Sequence, residues 1–152
     1  MPVRREDRGS ASLEFLTAGV LLLVPLVYLV LALGAVQAGA FAVEGAARSA
    51  ARVAVLAAGD RQDADAADVR AAAERAARTV LTDADLDGAS ASVQLTCATT
   101  GSCTEAGARV HVRVAASIVL PFVPDLFGVA LGSVRVEGVA TQSVSKFTGG
   151  GA

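Results

Sequence analysis

Charge is absent from one long stretch of the chain, and that gap sets the organisation. No Asp, Glu, Lys or Arg occurs from Phe15 to Val43, a run of 29 residues dominated by Leu, Val and Ala. A helix needs about 20 such residues to cross the hydrocarbon core of a bilayer, so the run predicts a transmembrane helix. Pro25 lies inside it. Proline breaks a helix in water, but in lipid it is tolerated with a kink where neighbouring groups re-satisfy the freed carbonyl. Gly34, Ala35, Ala38, Gly39 and Ala42 are small, and small residues let helices approach closely in membranes.

Beyond Val43 the pattern becomes amphipathic. Glu44, Arg48 and Arg52 recur four residues apart and form a polar stripe, with Ala47, Ala51, Val55 and Leu56 as its apolar counterpart. The first helix is therefore expected to run on to Gly59–Asp60. A second helix is expected to begin within residues 63–68 and to reach about Leu81. Acidic residues crowd its first turn and Arg70, Arg75 and Arg78 follow, which suits the helix dipole. Its buried face is expected to be Val69, Ala73, Ala76, Ala77 and Val80.

After Asp87-Gly88 the period changes to two. Ala91, Val93, Leu95 and Cys97 alternate with polar residues, then Val110, Val112 and Val114, then Val134 and Val136 onward to Ser145. These are three half-buried strands, the first two joined by the polar loop ATTGSCTEAG as a hairpin. Three strands need a helical layer to cover their apolar face. The predicted fold is α+β: a long N-terminal transmembrane helix continuing into a small domain of one further helix and a three-stranded antiparallel sheet. The expected divisions are a cytoplasmic leader at 1–9, the transmembrane helix at 10–43, an extracytoplasmic domain at 44–147 and a disordered tail at 148–152. Phe122, Val123, Leu126 and Phe127 are expected to fold over the domain core.

Composition narrows the function. Hydrophobic residues make up 53% of the chain but aromatics only 4%, so a soluble core would be thin, because stabilisation follows buried apolar area. The net charge is −2 and Lys146 is the only lysine, so no nucleic-acid partner is expected. Arg4, Arg5 and Arg8 precede the span, and flanking positive charge favours the cytoplasmic side. A single-pass protein in the cell membrane is expected, with the N-terminus cytoplasmic and the C-terminal domain outside.

The edge of the span carries the most specific chemistry. The segment Arg8-Gly9-Ser10-Ala11-Ser12-Leu13-Glu14-Phe15 places Gly9 at a polar-to-apolar junction and Glu14 at the mouth of the run. An unpaired carboxylate in lipid is costly, and a positive charge meeting it removes the cost. Cleavage after Gly9 would create such a charge, the amine of Ser10, which Glu14 of a neighbouring subunit could meet.

On these residues the chain resembles the type IV pilins, and within them the TadE-like pseudopilins of tight-adherence pilus systems. The resemblance covers about residues 4–45: a short basic leader, the Gly-x-x-x-x-Glu junction at Gly9 and Glu14, and the apolar helix. It implies cleavage between Gly9 and Ser10 by a prepilin peptidase. It also implies that Glu14, followed by the ring of Phe15, pairs with the new N-terminal amine during assembly. The family often has Tyr after the Glu; Phe15 keeps the ring and lacks the hydroxyl. The implied role is non-enzymatic: a minor pilin or pilus-assembly protein whose partners are the membrane, the peptidase and other pilin-like subunits. The alternative is an unprocessed single-pass anchor presenting a small interaction domain to an envelope or secretion complex.

Cys97 and Cys103 bracket five residues, and outside the cytoplasm a disulfide across the hairpin tip is expected. Two thiols and the lone His111 fall short of a four-ligand metal site, so no metal or cofactor is expected. The acidic cluster of Asp60, Asp63, Asp65 and Asp68 lacks the glycine and terminal Glu of a calcium loop and reads as helix N-terminal charge. No nucleophile–base pair or phosphate loop stands out, so no small-molecule substrate is expected.

Overall fold

The computed structural model describes residues 10–60, 65–88, 90–97, 103–121 and 132–146. The expected leader with Gly9, Asp63, the apolar residues from Phe122 to Phe127 and the tail at 148–152 lie outside them. The architecture is α+β in the order α1 (Ser10–Asp60), α2 (Ala66–Asp83), β1 (Ser92–Cys97), β2 (Arg109–Val119) and β3 (Ser133–Ser143). The chain divides into two compact units, Met1–Gly34 and Ala35–Ala152.

In the first unit α1 is apolar on every face, with Pro25 inside it. It is the one helix among the described residues that is long and apolar enough to cross a membrane.

In the second unit the remainder of α1 is rich in alanine, the best helix former. Val43, Ala46, Ala47, Ala50, Ala51, Ala54 and Ala58 are buried. They recur at steps of three and four, the spacing of one helical face. Glu44, Arg48 and Arg52 are exposed opposite them, and Arg48 Nη2 lies 2.6 Å from Glu44 Oε2. The expected apolar stripe is thus right at Ala47 and Ala51, but Leu56 is 60% exposed and Val55 only partly buried. The buried face is narrower than expected and is centred on alanines.

Asp65 caps α2, its carboxylate accepting from the Ala67 N–H at 3.4 Å. The helix runs two residues past the expected Leu81. It stops in a Schellman arrangement in which the Leu86 N–H donates to Leu81 O and the Asp85 N–H to Thr82 O. Asp85 takes the left-handed conformation that this stop requires, with φ at 57°. The buried face is Val69, Ala73, Ala77 and Leu81, each four residues from the next, while Ala76 and Val80 are half-buried at its edge.

The strands form one antiparallel sheet in the order β1-β2-β3. Even-numbered residues of β2 face the helices, so Val110, Val112, Val114, Ala116 and Ile118 are buried. Strand β2 continues five residues past the alternation read from Val110 to Val114. Beyond β1, whose last pairing is Ser92 with Ala115, β2 and β3 continue as a two-stranded ribbon from Ala116↔Val136 to Val119↔Ser133.

Two glycines set how closely α1 and the sheet approach. A Cβ on Gly138 of β3 would lie 2.7 Å from Val43 O and 2.8 Å from both N and Cα of Glu44. A Cβ on Gly39 of α1 would lie 2.6 Å from Ile118 Cγ1. Gly39 therefore serves helix–sheet contact. Gly138 meets backbone, which has no rotamer by which to yield. Gly138→Ala should destabilise the domain by about 1–3 kcal/mol, the usual cost of overpacking. Thermal unfolding of the detergent-solubilised chain measures it, and an unchanged midpoint contradicts this packing.

Candidate functional site

The junction predicted to matter sits at the start of α1. Ser10 is the first helical residue. Glu14 and Phe15 follow within the next two turns, and Gly9 lies outside the described residues. Glu14 is exposed and is the only charged residue between positions 10 and 43. Among the described residues it has neither an ion-pair nor a hydrogen-bond partner. Phe15 beside it is 78% exposed. Further along, Val20, Leu21, Leu22, Leu23 and Val24 are exposed too, on all sides of the helix. A surface of this kind is unsuited to water. The hydroxyl of Thr17 is satisfied internally, donating to Leu13 O at 2.7 Å. That leaves Glu14 as the one strongly polar side chain at this end, among the described residues, that α1 itself does not satisfy.

The cysteines are brought together. Cys97 and Cys103 form a disulfide with their Cα atoms 5.5 Å apart, within the ordinary range for such bonds. Cys97 ends β1 and Cys103 is buried near α2, in a shallow cleft with Ala66, Ala67, Arg70, Ala71 and Leu95. The Arg70 guanidinium donates to Leu95 O at 3.5 Å, joining α2 to the same strand. The bridge ties the hairpin end beside the first turn of α2.

The outer face of the sheet is mostly polar, with Val119 and Val139 as its exposed apolar residues. His111 Nδ1 lies 2.7 Å from Thr141 Oγ1, and Arg113 Nη1 lies 3.1 Å from Glu137 Oε1. Arg135 reaches across β2 to donate to Ser92 Oγ at 3.2 Å. Ala115, beneath that link, is buried although it points away from the helices. These side chains pair across strands and converge on no common point. Of the acidic cluster, Asp65 is the α2 cap and Asp68 sits in its first turn. Among the described residues no three His, Cys, Asp or Glu side chains gather in a way that could hold a metal ion.

Sequence reasoning missed Gly138, Gly39 and Ile118, the residues that join helix to sheet. A Gly inside an alternating strand is a known signal of close backbone approach, and Gly138 carried it. No family model, no characterised protein and no solved structure matches the chain.

Alkylation without reductant should leave both cysteines unmodified, and reduction should expose two thiols. Labelling of both without reductant contradicts it. Replacing both cysteines by serine should cost roughly 2–3 kcal/mol, the loop-entropy value for a ring of this size.

Proposed function

We propose that this protein is a non-enzymatic, TadE-like minor pilin or pilus-assembly protein of a tight-adherence pilus or secretion system. It is held in the cell membrane by α1, with the N-terminus cytoplasmic and the disulfide-tied domain outside. The observation that carries the reading is the junction from Gly9 to Phe15, a single carboxylate at the head of a helix apolar on all sides. Glu14 has no partner on its own chain among the described residues. A charge in that position calls for a partner from elsewhere, and the amine of Ser10 on an adjacent subunit supplies one.

In this reading the sheet and α2 form the part that other subunits meet, and α1 is both anchor and assembly element. The outer sheet face favours a second reading. With Arg113 and Arg135 exposed and His111 half-buried on it, an unprocessed anchor could display that face to an envelope or secretion complex.

The two readings separate at the N-terminus. Edman or mass-spectrometric sequencing of membrane-extracted protein should find a mature chain that begins at Ser10. An intact Met1 favours the unprocessed anchor. In the producing organism, Glu14→Ala should leave membrane insertion unchanged and reduce piliation at least about tenfold. A tenfold loss corresponds to about 1.4 kcal/mol of lost pairing, less than a charge-assisted hydrogen bond contributes at the upper end of its range. Normal piliation in that variant removes Glu14 from the mechanism.

A further inference from the structure

We infer that the end of the β2–β3 ribbon, with Val119 and Leu120, forms a second membrane contact, seated in the headgroup layer at the depth of Phe41 on α1, on the domain's side of the bilayer. The inference rests on α1 being the membrane anchor.

Lengths lead to it. The uncharged run from Phe15 to Val43 holds 29 residues, which at 1.5 Å per residue extend about 43 Å. The hydrocarbon core is only about 30 Å thick, whereas the bilayer with its headgroups is about 40–45 Å. Charge resumes at Glu14 on one side and Glu44 on the other, so the run matches the full bilayer and not its core alone. The last part of the run, which includes Gly39 and Phe41, therefore lies at headgroup depth. Covalent continuity of the helix is enough for this step.

The second unit brings the sheet to the same residues. Gly39 meets Ile118, Gly138 meets Val43 and Glu44, and Ser143 and Ser145 share a cleft with Val53 and Gly59. The order shows that β3 ascends alongside α1 and that β2 descends, its last residues lying toward the Ala35 end. The ribbon beyond β1 is that descending end. It carries Val119, 77% exposed, followed by the partly buried Leu120 and Pro121. Phe41, 73% exposed, lies at the same level of α1 as the two positions that the sheet touches but on the opposite side of the helix, and so marks the depth of the ribbon's end. A two-stranded ribbon is marginal in water without cover. Helix α1 covers one of its faces through Ile118, and the apolar residue on its other face is Val119. Apolar groups buried about 5–10 Å into the headgroup and acyl boundary make a stable interfacial contact.

The chain has no tryptophan, so a single introduced indole reports depth without background. The test uses the full chain, one copy per nanodisc, with phospholipids brominated on the acyl chains near the headgroup. Val119→Trp and, as a conservative second probe, Phe41→Trp are compared with Leu22→Trp in the span and Gln94→Trp on the exposed face of β1. Because interfacial side chains sit about 5–10 Å into the boundary, the indoles of Val119→Trp and Phe41→Trp should be blue-shifted and lose roughly half or more of their emission. The Gln94→Trp variant should emit as in water. If Leu22→Trp and Phe41→Trp are quenched but Val119→Trp is not, the second contact is wrong and the anchor stands. If Leu22→Trp is also unquenched, both fail. Shielding of the Val119→Trp indole from aqueous iodide without quenching by lipid assigns the patch to protein contact and overturns the inference.

Discussion

The domain depends on how close a helix and a strand can come. At Gly138 the backbone of β3 lies against the backbone of α1 at Val43 and Glu44, with no side chain between them. Such a separation excludes large residues from the facing surface of the helix, and the alanines from Ala46 to Ala58 meet that condition. The core that results is thin. Its largest fully buried side chains are Leu81 and a set of valines, with Leu81 contributed by the second helix. Each contact is small, so cohesion comes from density of packing more than from bulky apolar groups. Capping of α2 by Asp65, its left-handed stop at Asp85 and the tie between Cys97 and Cys103 then fix the elements that the thin layer alone would hold weakly.

In the anchor reading one helix serves two solvents, and its composition changes along its length. From Leu13 to Leu33 the large residues are Leu and Val with Phe15 and Tyr28, and all but the half-buried Tyr28 are exposed, on all sides of the helix. From Ala35 onward they give way to Ala and Gly on the side that meets the sheet. Bulk increases contact with lipid tails, while smallness permits contact with a neighbouring backbone. In the anchor reading, both demands are met within one unbroken helix, and the transition between them falls where charge is still absent.

The elements themselves were readable because their signals are strong. An uncharged run, a stripe at Glu44, Arg48 and Arg52 and three alternating segments gave the fold class, and the end of α1 fell where Gly59 and Asp60 placed it. What stayed hidden depended on residues with weak signals. Alanine is ambiguous between surface and core, so Ala46, Ala50, Ala54 and Ala58 did not register as a face, and Leu56 was expected inside in their place. Ala115 and Ala116 broke the alternation of β2 and concealed its last residues. Asp85 replaced the glycine that usually marks a helix stop. The candidate site divides the same way. The cysteines met as their spacing implied, whereas Glu14 has no ion-pair or hydrogen-bond partner among the described residues.

The contact at Gly138 also joins distant parts of the chain. Residues 43 and 138 are separated by 95 positions, so the alanine face of α1 is made long before the strand that covers it. At a synthesis rate of about 5–20 residues per second the interval is roughly 5–20 seconds. A leucine-rich face left uncovered for that time would invite misassociation with other emerging chains. An alanine face offers little apolar area to any partner until a strand carrying glycine at the right position arrives. The residue choice that permits tight final packing also keeps the unfinished protein inert while it waits for its last strand.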